Sequence, residues 1–284
     1  MPHPPIVIPD VGRGRVAQCQ STHDACVEFA QRLVAARPER LFLVSPHAPR
    51  HGGSFGLWAG RRLRGDLGEF GAPGAAVDLP NDEQTALHVH DACRGLGVRA
   101  IPIPSQPLDH GSSVPLWFLT QAGWDGLTCI ASLPWESAPE TLCTFGDAVA
   151  MALSRQQGPS ALVASGDMTH RAKPGAPRGY HKRAVDFDNQ VTQIVREGRL
   201  EEIAEIDRAL RELAAEDVAD PAMVVAAALG HRPHGNEVLS YEHPFGVGYL
   251  VAVFHDGGGG AATGERTKST AKKARPVREA GGDA

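Results

Sequence analysis

Four histidines lie beside short apolar runs of the sequence, where an imidazole could bind a metal ion or carry a proton. They are His3, His47, His110 and His170. His47 follows the run 41–44, which predicts a strand buried on both faces, and two prolines then stop that strand and stiffen the turn. Open α/β sheets bind ligands at such strand ends. One histidine near a strand end is usually structural, but four in equivalent places indicate a polar centre that needs imidazoles.

Strands and helices alternate along the chain, which predicts the elements that position these histidines. We predict strands at 41–44, 98–103, 127–133 and 161–164, and helices at 18–36, 82–96, 141–154, 184–196, 200–215 and 221–229. A short strand at 6–8 is expected after His3, and a hairpin of 237–241 and 247–255 is expected to close the fold. This order predicts a single-domain α/β/α sandwich with a mixed central sheet and no internal repeat.

Two segments show little periodicity and are interpreted as loops that shape a pocket. Residues 52–80 are rich in Gly, Arg and Asp, and we predict a long excursion over the surface there. Loops of that length within a compact domain are often functional. The Pro/Gly-rich residues 173–180 are expected to lie over whatever His170 serves.

Composition limits the class of protein. The chain of 284 residues is 42% hydrophobic, enough for a substantial core, and its net charge of −5 argues against a general nucleic-acid binder. The apolar runs are too short to span a bilayer, and no signal peptide is recognised at Met1, so no membrane partner is expected. Five cysteines without a CxxC pair are expected to be reduced and buried, as in a cytoplasmic protein.

The end of the chain differs from the rest in composition. Residues 257–284 open with four glycines, contain almost no large apolar side chain, and hold six Lys/Arg against three Asp/Glu. That balance gives this segment a charge of +3 and leaves −8 for the rest. Such a segment cannot bury enough surface to order itself. We therefore predict a folded domain over residues 1–256 and a disordered basic tail over residues 257–284.

Five short polar fragments stand in a distinctive order along the chain. They are Pro-His-Pro-Pro at 2–5, Ser-Pro-His at 45–47, Asp-His-Gly at 109–111, Ser-Gly-Asp-Met-Thr-His at 165–170 and Tyr-Glu-His-Pro-Phe-Gly-Val-Gly-Tyr at 241–249. Together with residues 64–73 and 174–180, they resemble the class III extradiol ring-cleavage dioxygenases, and more closely the catalytic LigB-type subunit and its Memo-like relatives. The resemblance runs from about His3 to His255. It is more specific for the superfamily than for the reaction.

This resemblance implies a non-haem Fe(II) ion held by two histidines and one carboxylate, an arrangement that leaves positions open for substrate and dioxygen. Manganese and zinc are the alternative metals. His3 and His47 would be the first two ligands. The third is a glutamate in the dioxygenases and a cysteine in Memo-like relatives; here Asp217 falls best on that position, with Glu216 next, and no cysteine is near. Both carboxylates could instead be charges at the start of a helix.

The resemblance also implies roles for residues around the metal. His170 matches the family's acid/base histidine, since an imidazole titrates near neutrality and can take and return a proton. His110 would orient the substrate or stabilise bound oxygen. Asp109 would fix the surroundings of His110, or serve as a turn residue. Three further residues are expected near the substrate: Asp167, Tyr180 and Glu242.

The preferred interpretation is a cytoplasmic Fe(II)-dependent dioxygenase that inserts O₂ into a catecholic or aminophenolic ring during aromatic catabolism. One alternative is a Memo-like protein that binds a metal or a partner without ring cleavage, and another is a metal-dependent hydrolase. Bound Fe(II) would favour the dioxygenase, and bound zinc would favour the hydrolase. Absence of a bound metal would favour the Memo-like protein. Relatives often pair, which leaves a homodimer open.

The first expected ligand lies close to the start of the sequence. In the family a strand usually runs into the Pro-His-Pro-Pro segment, whereas here Met1 stands two residues before His3. We therefore expect His3 to lie near a loose terminus.

Overall fold

The centre of the molecule is a mixed sheet of five strands. The structure, a computed structural model, describes residues 1–256, so the predicted tail at 257–284 lies outside the described residues. The strands are β1 (Arg40–Ser45), β2 (Phe55–Trp58), β3 (Arg62–Leu67), β4 (Ala72–Pro80), β5 (Ala100–Ile103), β6 (Leu127–Ser132), β7 (Ser160–Ala164), β8 (Glu237–Glu242) and β9 (Tyr249–Val253). The central sheet has the order β5-β2-β6-β1-β7, while β3–β4 and β8–β9 form separate antiparallel ribbons.

Helices cover both faces of this sheet. They are α1 (Pro9–Gly12), α2 (Gln20–Ala35), α3 (Glu83–Leu96), α4 (His110–Gln121), α5 (Pro139–Leu153), α6 (Ala184–Glu197), α7 (Arg208–Ala214) and α8 (Ala219–Ala228). One core lies between the sheet and helices α3, α5 and α8, where the rings of Phe55 and Phe145 stack at 3.8 Å. The other contains Leu43 and Trp58 and is covered by α2 and α4. The predicted α/β fold with a mixed, helix-flanked sheet is confirmed.

Parallel pairing brings the site segments to one edge of the sheet. β1 pairs with β6 and with β7 in parallel, so Arg40 stands opposite both Leu127 and Ser160. All six residues of β1 are buried, as its apolar run predicts. The segments that follow β1 and β7 therefore leave the sheet side by side.

The prediction of a surface excursion at 52–80 is wrong. β2 lies inside the central sheet, and all four of its residues are buried. A strand of four residues is too short to show periodicity. Gly56 permits its close packing, because a Cβ there would lie 2.3 Å from Cδ1 of Ile103. The β3–β4 ribbon that follows alternates buried and exposed residues along much of its length.

Other local predictions also need correction. The strand expected at 6–8 is absent: Pro5–Val7 is a 3-10 helix, in which the N–H of Val7 donates to the carbonyl of Pro4 at 3.1 Å. Pro5 in the first turn favours this helical conformation because its φ is fixed. The helix expected at 200–215 is divided into a 3-10 helix (Leu200–Glu205) and α7.

The start of the described chain is held firmly, contrary to the expectation of a loose segment near His3. Met1 is buried, and its amino nitrogen donates to the carbonyl of Ala164 at 2.7 Å. The N–H of Gly166 donates to the carbonyl of Met1 at 3.0 Å. These bonds fix residues 1–3 against the end of β7.

Two further sequence expectations concern environment. Within the described residues, no helix combines the length and apolarity needed to cross a membrane. All five cysteines are free thiols and four of them are buried, as expected for reduced cysteines in apolar surroundings.

Packing of α5 on α8 generates a stability prediction. Gly146 in α5 lies against the backbone of α8, and a Cβ there would stand 2.4 Å from the carbonyl oxygen of Val224. We expect Gly146→Ala to lower the free energy of unfolding by about 1–3 kcal/mol, the usual cost of overpacking. Gly95→Ala is the matched control: this helical glycine is exposed with no heavy atom within 4 Å, so the change should be neutral or stabilise by up to about 1 kcal/mol. Urea denaturation of both variants measures the difference; equal stability would contradict close α5–α8 packing.

Candidate metal centre

Five segments that are distant in sequence converge where β1 and β7 end. They are residues 1–5, 45–47, 109–111, 165–170 and 214–218. The convergence brings together the four histidines predicted to form a polar centre. It also brings both candidate carboxylates of the 214–218 segment to the same end of the sheet.

Two imidazoles and one carboxylate face one another at short distances. Nε2 of His3 lies 3.0 Å from Nε2 of His47. Oδ2 of Asp217 lies 3.2 Å from Nε2 of His47 and 3.7 Å from Nε2 of His3. Three potential ligand atoms thus point at one small volume, as a two-histidine, one-carboxylate site requires.

His110 offers a second way to complete a triad. Its ring centroid lies 4.3 Å from that of His47 and 5.4 Å from that of His3. One ligand atom from each of His3, His47 and His110 lies within 4.8 Å of the others, so these three histidines could hold a metal ion. Two donor sets therefore share His3 and His47 and differ in whether Asp217 or His110 joins them.

Asp109 connects the end of β1 to the start of α4. Its Oδ1 accepts hydrogen bonds from Oγ of Ser45 at 2.7 Å and from the N–H of Ser112 at 2.9 Å, so it caps the helix that begins with His110. The approach is close: a Cβ on Gly111 would lie 2.7 Å from Oγ of Ser45. Asp109 therefore fixes His110 against the segment that carries His47.

The hydrogen-bond network assigns the tautomer of His3. The hydroxyl of Ser165 donates its one proton to the carbonyl of Gly111 at 2.6 Å. Its oxygen must then accept from Nδ1–H of His3, which lies 3.0 Å away. Nε2 of His3 is left with a free lone pair directed at His47 and Asp217. A metal-binding histidine typically has its other ring nitrogen held in this way.

Glu216 and Asp217 have different surroundings, although they are adjacent. The carboxylate of Glu216 accepts from Nε of Arg211 at 2.6 Å and from the N–H of Ala219 at 2.8 Å, at the start of α8. Arg211 also pairs with Asp220 at 2.6 Å. Glu216 thus lies where a negative charge at the start of a helix is expected, whereas Asp217 faces the histidines.

Asp167 supports the same cluster from below. It is buried, and its Oδ1 accepts from the backbone N–H of His3 at 3.0 Å. Its own N–H donates to Oδ1 of Asp217 at 2.6 Å, while the N–H of Asp217 donates to its carbonyl at 3.2 Å. Burial, followed by the nearby charge of Asp217, raises the pKa of Asp167 well above its usual value.

The electrostatics favour neutral imidazole beside an ionised carboxylate. Burial lowers the pKa of His3 to about 3, although Asp217 opposes that shift. Burial alone would raise the pKa of Asp217, but the histidines around it, first His3 and then His47, lower it below the usual range. Metal ligands must be unprotonated, so these protonation states suit a bound cation.

A cavity of about 570 Å³ opens above this cluster. His170 lines it together with His47 and Asp217. The N–H of His170 donates to the carbonyl of Ala214 at 2.9 Å, which ties it to the segment that carries Asp217. Burial lowers the pKa of His170, and its Nδ1 is buried with no partner among the described residues. A neutral imidazole therefore stands beside the cavity, able to accept a proton.

The remaining predicted residues lie elsewhere. Tyr180 is 50% exposed and does not line the cavity. Glu242 also lies outside the lining and accepts hydrogen bonds from the N–H and Oγ1 of Thr22 in α2 at 2.7 and 2.5 Å.

Sequence reasoning missed several residues at the centre. They are Ser45, Phe70, Trp135, Ser165 and Arg178. Ser45 and Ser165 lie in the polar fragments 45–47 and 165–170, and their closeness in sequence to His47 and His170 could have identified them. Phe70 lies at the tip of the β3–β4 ribbon, with its ring 5.7 Å from that of His110, and only the fold reveals that contact.

The fold and the cluster define an α/β protein whose histidines could hold a metal ion. The chain belongs to the family described as the catalytic LigB subunit of aromatic ring-opening dioxygenase, whose model matches residues 1–252. Members of this family are mostly ring-cleavage dioxygenases.

The names of two similar proteins state no activity. The chain is 26% identical over 261 residues to Protein CA_C1420 of Clostridium acetobutylicum, a match that covers 88% of this chain and 55% of that protein. It thus spans about half the length of this curated relative. The crystal structure of an uncharacterized protein, JW3007, from Escherichia coli K12 is similar with a TM-score of 0.56 and 17% identity, covering 80% of this chain and 91% of that one. At that identity, the similarity supports the fold alone.

A buried acid in α6 holds the segment that carries His170. Oδ1 of Asp188 accepts from the N–H of Thr169 at 2.8 Å, and Oδ2 accepts from the hydroxyl of Tyr241 at 2.7 Å. Burial raises the pKa of Asp188 from its ordinary value of 3.8 to about 7; these two bonds oppose that shift and the charge of Glu216 adds to it. Asp188 therefore stays protonated in the folded protein at pH values where the unfolded chain ionises.

We predict that Asp188→Asn removes a pH dependence of stability. Because the folded pKa is raised, the contribution of Asp188 is fully present below about pH 4 and is lost as pH rises to about 7. The wild type should lose stability relative to Asp188→Asn across this window. The difference between their free energies of unfolding should fall by a few kcal/mol, the order that the pKa shift of Asp188 implies. Urea denaturation from pH 4 to 8 measures it. Asp186→Asn, at an exposed position on the same helix, is the control; a flat difference for Asp188→Asn would contradict the prediction.

Proposed function

We propose that this protein is an Fe(II)-dependent extradiol dioxygenase that cleaves a catecholic or aminophenolic ring. One observation carries the proposal: Nε2 of His3, Nε2 of His47 and Oδ2 of Asp217 lie 3.0–3.7 Å apart below a cavity. Membership of a family composed mostly of ring-cleavage dioxygenases supports it.

The donor set fits a divalent ion. His3 has its Nδ1 held by Ser165, which leaves Nε2 as the ligand atom, and Asp217 is the carboxylate that faces it. Bound there, Fe(II) would supply open positions at which an aromatic diol and O₂ can be brought together. His3, His47 and Asp217 would hold it, since two neutral imidazoles and one carboxylate suit iron.

Other residues would handle protons and orientation. His170 is neutral and lines the cavity beside His47, so it would take a proton from a ring hydroxyl and return it later. The ring of His110 lies 4.3 Å from that of His47, and the ring of Phe70 lies 5.7 Å from that of His110, so both would help to orient an aromatic ring. Asp167 would position Asp217 through the hydrogen bond from its N–H.

The three-histidine set favours one alternative function. Some catalytic zinc sites also have three imidazole ligands and leave a fourth position open for water or substrate. If His110 completes the site in place of Asp217, the protein would be a metal-dependent hydrolase. The two donor sets differ in a single ligand, so substitutions can separate them.

The first prediction for this function concerns the third ligand. We expect Asp217→Asn to lose stoichiometric Fe(II) binding while the protein stays folded, because the amide removes the anionic ligand and also the repulsion from Asp167. His47→Ala should lose the metal as well. Glu216→Gln is the matched control and should keep the metal, since Glu216 is held by Arg211 and Ala219. Metal content after anaerobic reconstitution, with circular dichroism as the test of folding, measures each case.

The three-histidine site makes the opposite prediction for the same experiment. Asp217→Asn would keep a full equivalent of metal, and His110→Ala would lose it. That result would overturn the two-histidine, one-carboxylate assignment. Zinc in place of iron in protein purified without added metal would favour the hydrolase.

A second prediction separates His170 from the metal ligands. His170→Ala should retain Fe(II) and bind a catechol anaerobically with unchanged affinity, yet lose roughly 10²–10⁴-fold in turnover, the range for lost general acid–base catalysis. Added imidazole should restore part of the oxygen uptake. His181→Ala, on the neighbouring loop, is the control and should behave as wild type. Loss of metal from His170→Ala would make it a ligand; unchanged turnover would leave it a structural role.

A further inference from the structure

The backbone immediately before His170 is fixed through every polar group of Thr169. The N–H of Thr169 donates to Oδ1 of Asp188 at 2.8 Å, and its carbonyl accepts from the N–H of Gly248 at 2.7 Å. Its hydroxyl donates to the carbonyl of Ala214 at 2.9 Å, and that carbonyl also accepts from the N–H of His170 at 2.9 Å. Thr169 is fully buried, so these bonds form away from water, where they are strongest. The residue therefore joins α6, the turn before β9 and the end of α7.

The side chain of Asp188 enters this junction from α6. It is completely buried, and its second oxygen, Oδ2, accepts from the hydroxyl of Tyr241 in β8 at 2.7 Å. Gly248 makes room for it, because a Cβ at that position would lie 2.2 Å from Oδ2 of Asp188 and 2.7 Å from Cβ of Met168. Neither carboxyl oxygen can move away without leaving a buried donor unpaired, which is costly. Asp188 is thus held as firmly as the backbone that it contacts.

The imidazole of His170 depends on this backbone. It lines the cavity together with His47 and Asp217, but its Nδ1 is buried with no hydrogen-bond partner within the described residues. The backbone that carries the ring therefore has a large share in deciding where the ring points. A displacement of about 1 Å at a reacting group can cost roughly a hundredfold in rate.

We propose that Asp188 is a positioning residue, which holds His170 through the N–H of Thr169 so that the imidazole can exchange a proton with the bound ring. The inference rests on the proposed function, in which His170 is the acid/base group. Asp188 does not line the cavity, so it would act on the reaction only through Thr169 and His170. Tyr241 would support the same arrangement from one bond further away, by holding Oδ2 of Asp188.

A double-mutant cycle with His170 separates positioning from a merely structural role. Oxygen uptake with a catechol is measured for the Fe(II)-loaded wild type, Asp188→Ala, His170→Ala and the double variant. Asp188→Ala should lower kcat roughly ten- to hundredfold while iron content, KM and anaerobic catechol affinity stay unchanged. In the His170→Ala background the same change should have no further effect, because no imidazole is left to misplace.

Conservative variants extend this cycle. Asp188→Asn should keep most of the turnover, because the amide oxygen still accepts from the N–H of Thr169. Tyr241→Phe removes only the bond to Oδ2 and should fall between wild type and Asp188→Ala; it replaces Asp188→Ala in the cycle if circular dichroism shows that variant to be unfolded. Asp186→Ala, at an exposed position on the same helix, is the matched control and should turn over as wild type does.

A second measurement does not depend on turnover. Hydrogen exchange of the backbone amide of Thr169 is followed by NMR in the metal-free protein, relative to the amides of β1. Asp188→Ala should speed this exchange roughly tenfold, the factor that corresponds to one lost hydrogen bond. Asp188→Asn and Asp186→Ala should leave it near the wild-type rate.

The outcomes distinguish this inference from the proposed function. Equal losses of kcat from Asp188→Ala in both backgrounds, or an unchanged exchange rate at Thr169, would overturn the inference. Ring cleavage by wild type with full kcat in Asp188→Ala would reject the positioning role and retain the proposed function. Absence of ring cleavage by wild type, with faster exchange in Asp188→Ala, would reject the proposed function and retain Asp188 as the anchor of the segment that carries His170.

Discussion

The constraint on which this site depends is the placement of a buried carboxylate, that of Asp167, beside the largely buried carboxylate of Asp217. The N–H of Asp167 donates to the carboxylate of Asp217, and the carboxylate of Asp167 accepts from the N–H of His3. The buried ring of His3 lies 3.7 Å from Oδ2 of Asp217. Two ionised carboxylates removed from water at that separation would cost several kcal/mol unless a proton or a cation intervenes. The pKa shifts divide the pair, with Asp167 raised and Asp217 lowered. A bound divalent ion would relieve the remaining repulsion, which is a physical reason to expect one here.

The strand pairing of the central sheet brings these two carboxylates together. Parallel registry of β1 with β7 places His47 beside the segment that carries Asp167. The amino group of Met1 then fixes His3 to the end of β7. No single segment contains the site; each supplies one or two groups from a strand end or a helix start. Rigid elements therefore determine the geometry of the proposed ligands, and loss of registry between β1 and β7 would separate them.

Sequence patterns predicted this arrangement in part. The buried run of β1 and the helices have lengths and periodicities that identify them, so the α/β fold followed. β2 was missed because four buried residues with a glycine among them carry no period. Glu216 and Asp217 could not be separated, because adjacent acids before a helix look alike. Their difference lies in Arg211, which pairs with Glu216 and with Asp220 in the folded protein, a contact that the order of the residues does not reveal.

The family is easier to recognise than the substrate, because the residues of the proposed metal site and the residues that line the cavity lie in different parts of the fold. Of the proposed metal ligands, His47 follows β1, His3 is fixed beside the end of β7 and Asp217 precedes α8, so packed elements fix their positions. The walls of the cavity also include residues from other parts of the chain, such as Trp135 and Arg178. Loops on a rigid scaffold can change without disturbing it, so they set specificity. The residues that line the cavity on such loops are therefore more informative about the substrate than any of the histidines.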